Sequence, residues 1–145
     1  MKITKIENFI VDAGWRPWGF VKVETDEGIT GWGECSDGRS PNGVAGTIED
    51  LKPVLIGTDP REFEMRFWDM YRSTRQSPGG IAAKALAGLD CAFIDIKAKS
   101  LGISVPELFG GPTRDRVRVY WSHCGTSRVR NHELIGVRPI ISWDD

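Results

Sequence analysis

The sequence lacks the features that mark membrane, secreted and nucleic-acid-binding proteins. Its uninterrupted apolar runs are only a few residues long, far short of a membrane span. No apolar signal core follows residues 1–5. Nineteen basic and 20 acidic residues leave a formal charge of −1 without any lysine or arginine block. We therefore expect a cytoplasmic protein that has neither nucleic acid nor a membrane as its partner.

Cysteine is also scarce. Cys35, Cys91 and Cys124 are odd in number and far apart, and they form neither a CxxC pair nor a zinc spacing. This predicts free, mostly buried thiols. Tryptophan, in contrast, is abundant with six residues, and we expect some of them at an interface or a pocket.

What is present fits one globular domain. The length of 145 residues corresponds to about one domain, and 40% hydrophobic residues are enough to form a core. There is no internal repeat and no low-complexity tract. Disorder is therefore not expected.

The first third of the chain has the pattern of β-strands. Residues 3–11 are rich in β-branched and aromatic side chains, and residues 20–25 alternate between apolar and polar. A turn at residues 26–28 leads into a third strand at residues 29–35. The short link predicts antiparallel pairing.

Helical spacing dominates the middle of the chain. Apolar residues recur at intervals of three and four, which predicts helices at residues 44–56, 61–75 and 81–100 and a short turn at 105–109. Pro53 should bend or interrupt the first of them. Asp59 is the expected cap of the second, with Pro60 at its first position.

The end of the chain contains one further predicted strand. Residues 116–122 alternate after the earlier strands and helices have already paired, and residues 125–145 are weakly patterned. Such a strand needs a partner, either later in a longer chain or in another chain.

Three segments contain distinctive motifs. Residues 27–34 read EGITGWGE, residues 87–102 read AGLDCAFIDIKAKSLG, and residues 106–111 read PELFGG. They resemble, in this order, the DEGITGWGE hairpin, the AIDIALWDIKGKALG helix and the PVYELLGG ending of the mandelate racemase and muconate lactonizing group of the enolase superfamily. Their order and separation extend the resemblance over roughly residues 1–122.

The resemblance implies an α+β fold. We expect a three-stranded antiparallel meander packed on a small helical bundle, followed by the first strand of a truncated (β/α) barrel. Residues 1–112 would form the capping domain, a lid over the barrel mouth, and residues 113–145 the start of the barrel.

The resemblance also implies a chemistry. In this group, barrel carboxylates bind Mg2+ and a lysine or histidine base removes the proton beside a substrate carboxylate. A complete barrel takes about 250 residues, so the positions of these groups are expected beyond Asp145. The resemblance therefore assigns no catalytic residue and no metal ligand to this chain, and we expect no cofactor for this chain alone.

Two pairs of charged residues look tempting but favour a structural role. Lys97 and Lys99 resemble a Lys-x-Lys base motif, yet residues two apart on a helix point in different directions. Asp90 and Asp95 are five apart on the same helix and do not converge. We expect a structural role for the two lysines and a salt-bridge or helix-face role, rather than metal binding, for the two aspartates.

The histidines give no complete motif. His132 and Glu133 begin an HExxH pattern, but Gly136 stands where the second histidine is needed. His123 follows the predicted barrel strand, and strand ends are where barrel sites form. His123 is therefore a candidate pocket residue, and a packing or loop role is the alternative.

Two loops suit a substrate-covering role. By resemblance, residues 13–19 and 36–43 are the lid segments that close over the bound acid. Their tryptophans can exclude water, and their arginines can form a fork onto a carboxylate; merely solvated arginines are the alternative. The candidate substrate-binding residues are Trp15, Arg16, Trp18, Arg39 and His123.

These observations favour the lid domain of a magnesium-dependent sugar-acid dehydratase, inactive by itself. Polar, arginine-containing loops suit a polyhydroxy acid as the small-molecule carboxylate substrate, and a homo-oligomer is expected. A racemase or cycloisomerase of the same group is the alternative reaction. A non-catalytic oligomeric or binding module is the alternative class, and a gene fragment, frameshifted or truncated after Ser127, is the third possibility.

Overall fold

A computed structural model describes residues 1–14, 16–120, 124–136 and 138–141. The chain divides into two compact units, Met1–Gly111 and Pro112–Asp145. Within the described residues, no helix is both long and apolar enough to cross a membrane.

The first unit contains the predicted three-stranded antiparallel meander. Its strands are β1 (Ile3–Asp12), β2 (Pro17–Thr25) and β3 (Thr30–Glu34), in the spatial order β1-β2-β3. Val23 lies between Ile6 of β1 and Gly31 of β3. The short turn between β2 and β3 is closed by the Gly28 N–H, which donates to the Thr25 carbonyl at 3.1 Å.

The two faces of the sheet differ in burial. Ile6, Val21 and Val23 point toward the helices and are at most 3% exposed. Lys22 and Trp32 face each other across β2 and β3 on the opposite side, where Trp32 is 46% exposed. The alternation therefore places one face in the core and leaves the other open.

The helices largely follow the predicted pattern. They are α1 (Pro41–Leu55), α2 (Phe63–Ser73), α3 (Gly80–Leu101) and α4 (Val105–Leu108). Pro53 does not interrupt α1, which continues through it to Leu55. It lies in the last turn, where its missing N–H removes only one helical hydrogen bond. Gly102 ends α3 in the left-handed conformation, at φ 69°.

The predicted cap of α2 is wrong. The helix begins at Phe63, its N-cap position is Glu62, and no side chain caps it. Asp59 instead accepts the Arg61 N–H at 3.0 Å and forms an ion pair with the Arg61 guanidinium at 2.6 Å. The Asp59 carboxylate closes a turn before the helix because it binds Arg61 rather than the N–H groups at the start of α2.

The core forms where α3 lies across the sheet. Leu89, Phe93 and Ile96 of α3 are fully buried together with Val21 and Val23. The closest approach is at β3: a Cβ on Gly33 would lie 1.9 Å from the Gly88 carbonyl oxygen. Backbone therefore packs on backbone at this contact.

The second unit contains two short helices, α5 (Cys124–Arg130) and α6 (His132–Ile135). The strand predicted at residues 116–122 is not seen at residues 116–120, where Val119 and Tyr120 are 84% and 86% exposed; residues 121–122 lie outside the described residues. An alternating pattern forms a strand only when a neighbouring strand supplies hydrogen bonds.

Candidate functional site

Two loops lie at the same end of the sheet. The first loop, residues 13–16, joins β1 to β2, and the second loop, residues 35–40, joins β3 to α1. The Cys35 N–H donates to the Gly19 carbonyl at 2.9 Å, and the Gly19 N–H donates to Ser36 Oγ at 3.1 Å. These bonds attach the start of the second loop to the strand that leaves the first.

The first loop is a tight turn. Asp12 Oδ1 accepts the Gly14 N–H at 2.7 Å, and the Ala13 N–H donates to the Arg16 carbonyl at 3.2 Å. Gly14 has φ 82°, a conformation that side chains with a Cβ rarely adopt. Arg16 is exposed at the end of this turn, whereas Trp15 lies outside the described residues.

Trp18 lies in β2 rather than in the loop where the sequence placed it. It is 38% exposed, is opposite Val11 and contacts the Phe20 ring edge-to-face at 6.2 Å. Phe9 and Trp32 pack together nearby, with ring centroids 5.6 Å apart. These five side chains form a half-exposed patch on the open face of the sheet, here called the aromatic face.

The second loop is organised around Asp37. Its Oδ1 accepts the N–H groups of Arg39 at 2.8 Å and Ser40 at 2.7 Å, and its Oδ2 accepts from the Lys84 ammonium of α3. The bond from Lys84 and then the two backbone N–H groups lower the pKa of Asp37 to about 2. Asp37 is therefore a permanent anion at neutral pH.

Arg39 lies exposed on this loop. Within the described part of the chain, its guanidinium makes no hydrogen bond or ion pair. Asp37 and Lys84 were not singled out from the sequence. The sequence signal for Asp37 is an aspartate a few residues before the start of α1, a common arrangement for closing a turn onto backbone N–H groups.

Cys35 and Cys91 are not activated nucleophiles. Cys35 is 7% exposed, and burial followed by the charge of Glu34 raises the pKa of its thiol. Cys91 is an exposed residue, contrary to the expectation of burial, and its pKa is also raised, by local desolvation and then by Asp90.

The Lys97 and Lys99 side chains diverge, as the helix predicts. Lys97 Nζ lies 4.8 Å from the centre of the Phe63 ring. Lys99 Nζ donates to Asp95 Oδ2 at 2.7 Å and to the Thr30 carbonyl at 2.8 Å. Lys97 therefore packs on an aromatic ring and Lys99 binds the backbone of β3, so the two ammonium groups do not converge on one point.

No magnesium site forms among the described residues. They contain no group of three or more histidine, cysteine, aspartate or glutamate side chains that could hold a metal ion. Gly136 adopts a left-handed conformation after α6, which ends the helix that an HExxH motif would require at His132. His123 lies outside the described residues. The described acidic residues therefore do not fit the metal that the resemblance implies.

The described residues have no arrangement for removing a proton from an acid. Arg16 and Arg39 are exposed on loops at one end of the sheet, and a guanidinium can donate two hydrogen bonds to a carboxylate. Removing a proton beside a carboxylate also requires a base and a cation that stabilises the developing charge. The described residues contain no group of three or more side chains that could hold such a cation.

Comparison with known proteins reveals the family and its longer members. D-galactonate dehydratase of Variovorax paradoxus (strain S110) is 44% identical over 121 residues, covering 83% of this chain and 31% of the relative. The enzyme of the same name from Ralstonia pickettii (strain 12J) is 43% identical over the same shares. The chain thus spans about a third of the length of these relatives.

Solved structures show the same fold. A candidate L-alanine-DL-glutamate epimerase from Burkholderia xenovorans strain LB400, solved with magnesium and fumarate, has a TM-score of 0.85 at 42% identity, covering 91% of this chain and 33% of that one. The 3,6-anhydro-D-galactonate cycloisomerase from Zobellia galactanivorans has a TM-score of 0.74 at 30% identity, covering 79% and 33%.

The match to a family of domains agrees with the observed fold. Residues 12–110 match the mandelate racemase / muconate lactonizing enzyme N-terminal domain. This segment contains the end of β1, all of β2 and β3, the four helices of the first unit and both loops. The chain belongs to the mandelate racemase / muconate lactonizing enzyme family of the enolase superfamily and contains the family's N-terminal domain.

Proposed function

We propose that this chain is the lid domain of a magnesium-dependent sugar-acid dehydratase and contacts the acid through the first and second loops. The observation that carries the proposal is the position of Arg16 and Arg39, exposed on two loops that the β2–β3 pairing brings to one end of the sheet. A planar guanidinium can donate two parallel hydrogen bonds to a carboxylate.

The chain alone is inactive in this proposal. A proton beside a carboxylate is weakly acidic, so its removal needs a cation at the developing negative charge. The described residues offer no group of three metal-binding side chains. We therefore assign the magnesium ligands and the base to a catalytic barrel, as the family resemblance implies.

A sugar acid is the preferred substrate class for two reasons. The relatives named above include D-galactonate dehydratases and a 3,6-anhydro-D-galactonate cycloisomerase, and galactonate is part of both names. Exposed arginines on polar loops also suit a polyhydroxy acid better than an apolar one. Racemisation and cycloisomerisation remain the alternative reactions because they share the proton-removal step.

A chimera tests the proposal. The matched 31% of the Variovorax paradoxus D-galactonate dehydratase is replaced by the corresponding 121 residues of this chain. We expect magnesium-dependent dehydration of D-galactonate. Arg39→Ala should raise KM by about ten-fold or more, as expected when a hydrogen bond to a charged group is lost. Lys2→Ala is the control because it removes an exposed cation next to the opposite end of β1.

The outcomes are distinct. A chimera that unfolds cooperatively but does not turn over D-galactonate would refute the proposal that this chain is the lid domain of a sugar-acid dehydratase. Epimerisation or ring formation without dehydration would favour the alternative reactions. A chimera that is active but insensitive to both Arg16→Ala and Arg39→Ala would show that these arginines do not contact the acid.

A further inference from the structure

One ion pair ties the second loop to the central helix of the core. Lys84 lies in the second turn of α3, and its ammonium donates to Asp37 Oδ2. The other oxygen of the same carboxylate accepts the N–H groups of Arg39 and Ser40. A single side chain therefore joins the loop backbone to the helix that also buries Leu89 against the sheet.

Two sets of hydrogen bonds restrain the loop backbone near Arg39. The Asp37 carboxylate accepts the Arg39 N–H, and the Ser40 carbonyl accepts two N–H groups at the start of α1, at 3.1 and 3.3 Å. A Cβ on Gly38 would meet nothing within 4 Å, so the backbone beside Arg39 is not closely packed. The Asp37 side chain is 12% exposed, while Lys84 is 46% exposed. The Asp37 carboxylate therefore links the Arg39 backbone to α3, in addition to the bonds that start α1.

We propose that Asp37 and Lys84 are positioning residues that hold the second loop against α3 and thereby set where Arg39 meets the substrate carboxylate. The inference depends on the proposed function. Its physical basis is preorganisation: a loop that is fixed before binding loses less conformational freedom when the ligand binds. The low pKa of Asp37, caused first by Lys84, agrees with a carboxylate that stays ionised in this role.

The first experiment uses the 145-residue chain. An arginine-specific protease cuts after Arg39, and mass spectrometry measures the rate relative to cleavage after Arg118, which lies in the exposed segment 116–120. Lys84→Ala should speed cleavage at Arg39 by roughly two- to five-fold, the range expected for one exposed ion pair. Asp37→Ala should have a larger effect because two backbone N–H groups also lose their acceptor.

Two variants separate this effect from a general loss of stability. Lys99→Ala is the matched control: Lys99 is 48% exposed on the same helix and pairs with Asp95, but it lies near the other end of α3. It should leave the relative rate at Arg39 unchanged. Lys84→Arg preserves the charge and should restore protection. Equal cleavage in the native chain and in Lys84→Ala would overturn the proposal, whatever the function of the chain.

The second experiment links the loop to the substrate. In the active chimera, Lys84→Ala should raise KM for D-galactonate about three-fold or more and leave kcat nearly unchanged, with rescue by Lys84→Arg. Faster cleavage at Arg39 with an unchanged KM would show a structural tie only and would overturn the positioning role. An inactive native chimera would refute the proposed function and, with it, the substrate part of this inference, while the cleavage result would still be valid.

Discussion

At the scale of single residues, the contact between β3 and α3 leaves space for glycine only. A Cβ on Gly31 would lie 2.1 Å from the Ala92 carbonyl oxygen, and one on Gly33 would lie 1.9 Å from the Gly88 carbonyl oxygen. The obstacle in both cases is helix backbone, which cannot rotate away as a side chain can. The GITGWGE segment therefore owes two of its glycines to packing.

Gly33→Ala should destabilise the chain strongly. We expect a loss of about 3 kcal/mol in the free energy of unfolding because the added methyl group forces α3 away from the sheet. Urea unfolding followed by tryptophan fluorescence measures it. Gly46→Ala in α1 is the control: its Cβ would meet nothing within 4 Å, and alanine should stabilise the helix by about 0.5–1 kcal/mol. Similar unfolding free energies for the two variants would contradict the close contact.

The Asp37 carboxylate should titrate far below an ordinary aspartate. Its pKa is lowered from 3.8 to about 2, so its ionised form favours the folded loop. That contribution is complete above the ordinary pKa and is lost as the pH falls toward 2. Carbon-13 NMR of the side-chain carboxyl should show a midpoint near 2 in the native chain and a higher one in Lys84→Ala. A native midpoint near 3.8 would exclude the tie between Asp37 and Lys84.

At the scale of elements, α3 covers the open edge of β3. Asp95 Oδ2 accepts the Trp32 N–H at 3.0 Å, and Lys99 Nζ donates to the Thr30 carbonyl at 2.8 Å. The two side chains also pair with each other at 2.7 Å. An edge strand with satisfied backbone groups is a poor template for pairing with another chain.

Asp95→Ala should therefore expose the edge of β3. The Trp32 N–H loses its acceptor, which should cost about 1 kcal/mol of unfolding free energy, and self-association should rise. Asp95→Asn retains a side-chain oxygen and should behave more like the native chain. Light scattering and urea unfolding measure the two effects. A stable, monodisperse Asp95→Ala variant with the native unfolding free energy would show that the cover is dispensable.

Elements with strong local patterns could be predicted from the sequence, and those that depend on a partner could not. The meander and α3 follow from alternation and from spacings of three and four, both of which are local. Asp59 was wrongly predicted as a helix cap because Arg61 competes for its carboxylate. The alternation at residues 116–120 predicted a strand, but strand formation depends on a neighbour that the pattern itself does not supply.

The candidate site could likewise be predicted only where it depends on local patterns. The two loops could be predicted because they interrupt regular patterns and contain arginine and tryptophan. Trp18 was placed in the wrong element because only the β1–β2 register shows that β2 already begins at Pro17. The link from Asp37 to Lys84 joins residues 47 apart, a separation that local patterns do not reveal.

At the scale of the whole molecule, binding and chemistry are separate in the proposed account. The described residues supply a three-stranded sheet, an exposed arginine on each of two loops and an aromatic face, and they offer no group of three metal-binding side chains. The chain covers only 31% of its D-galactonate dehydratase relative. In the proposed account, the chain covers a substrate whose proton is removed by groups of the barrel.

The most direct test of that account is the turnover of D-galactonate by the purified 145-residue chain in the presence of magnesium. We expect no dehydration product above the rate without protein, because the described residues have no arrangement for holding the cation that proton removal requires. Magnesium-dependent product formation by the chain alone would contradict the account.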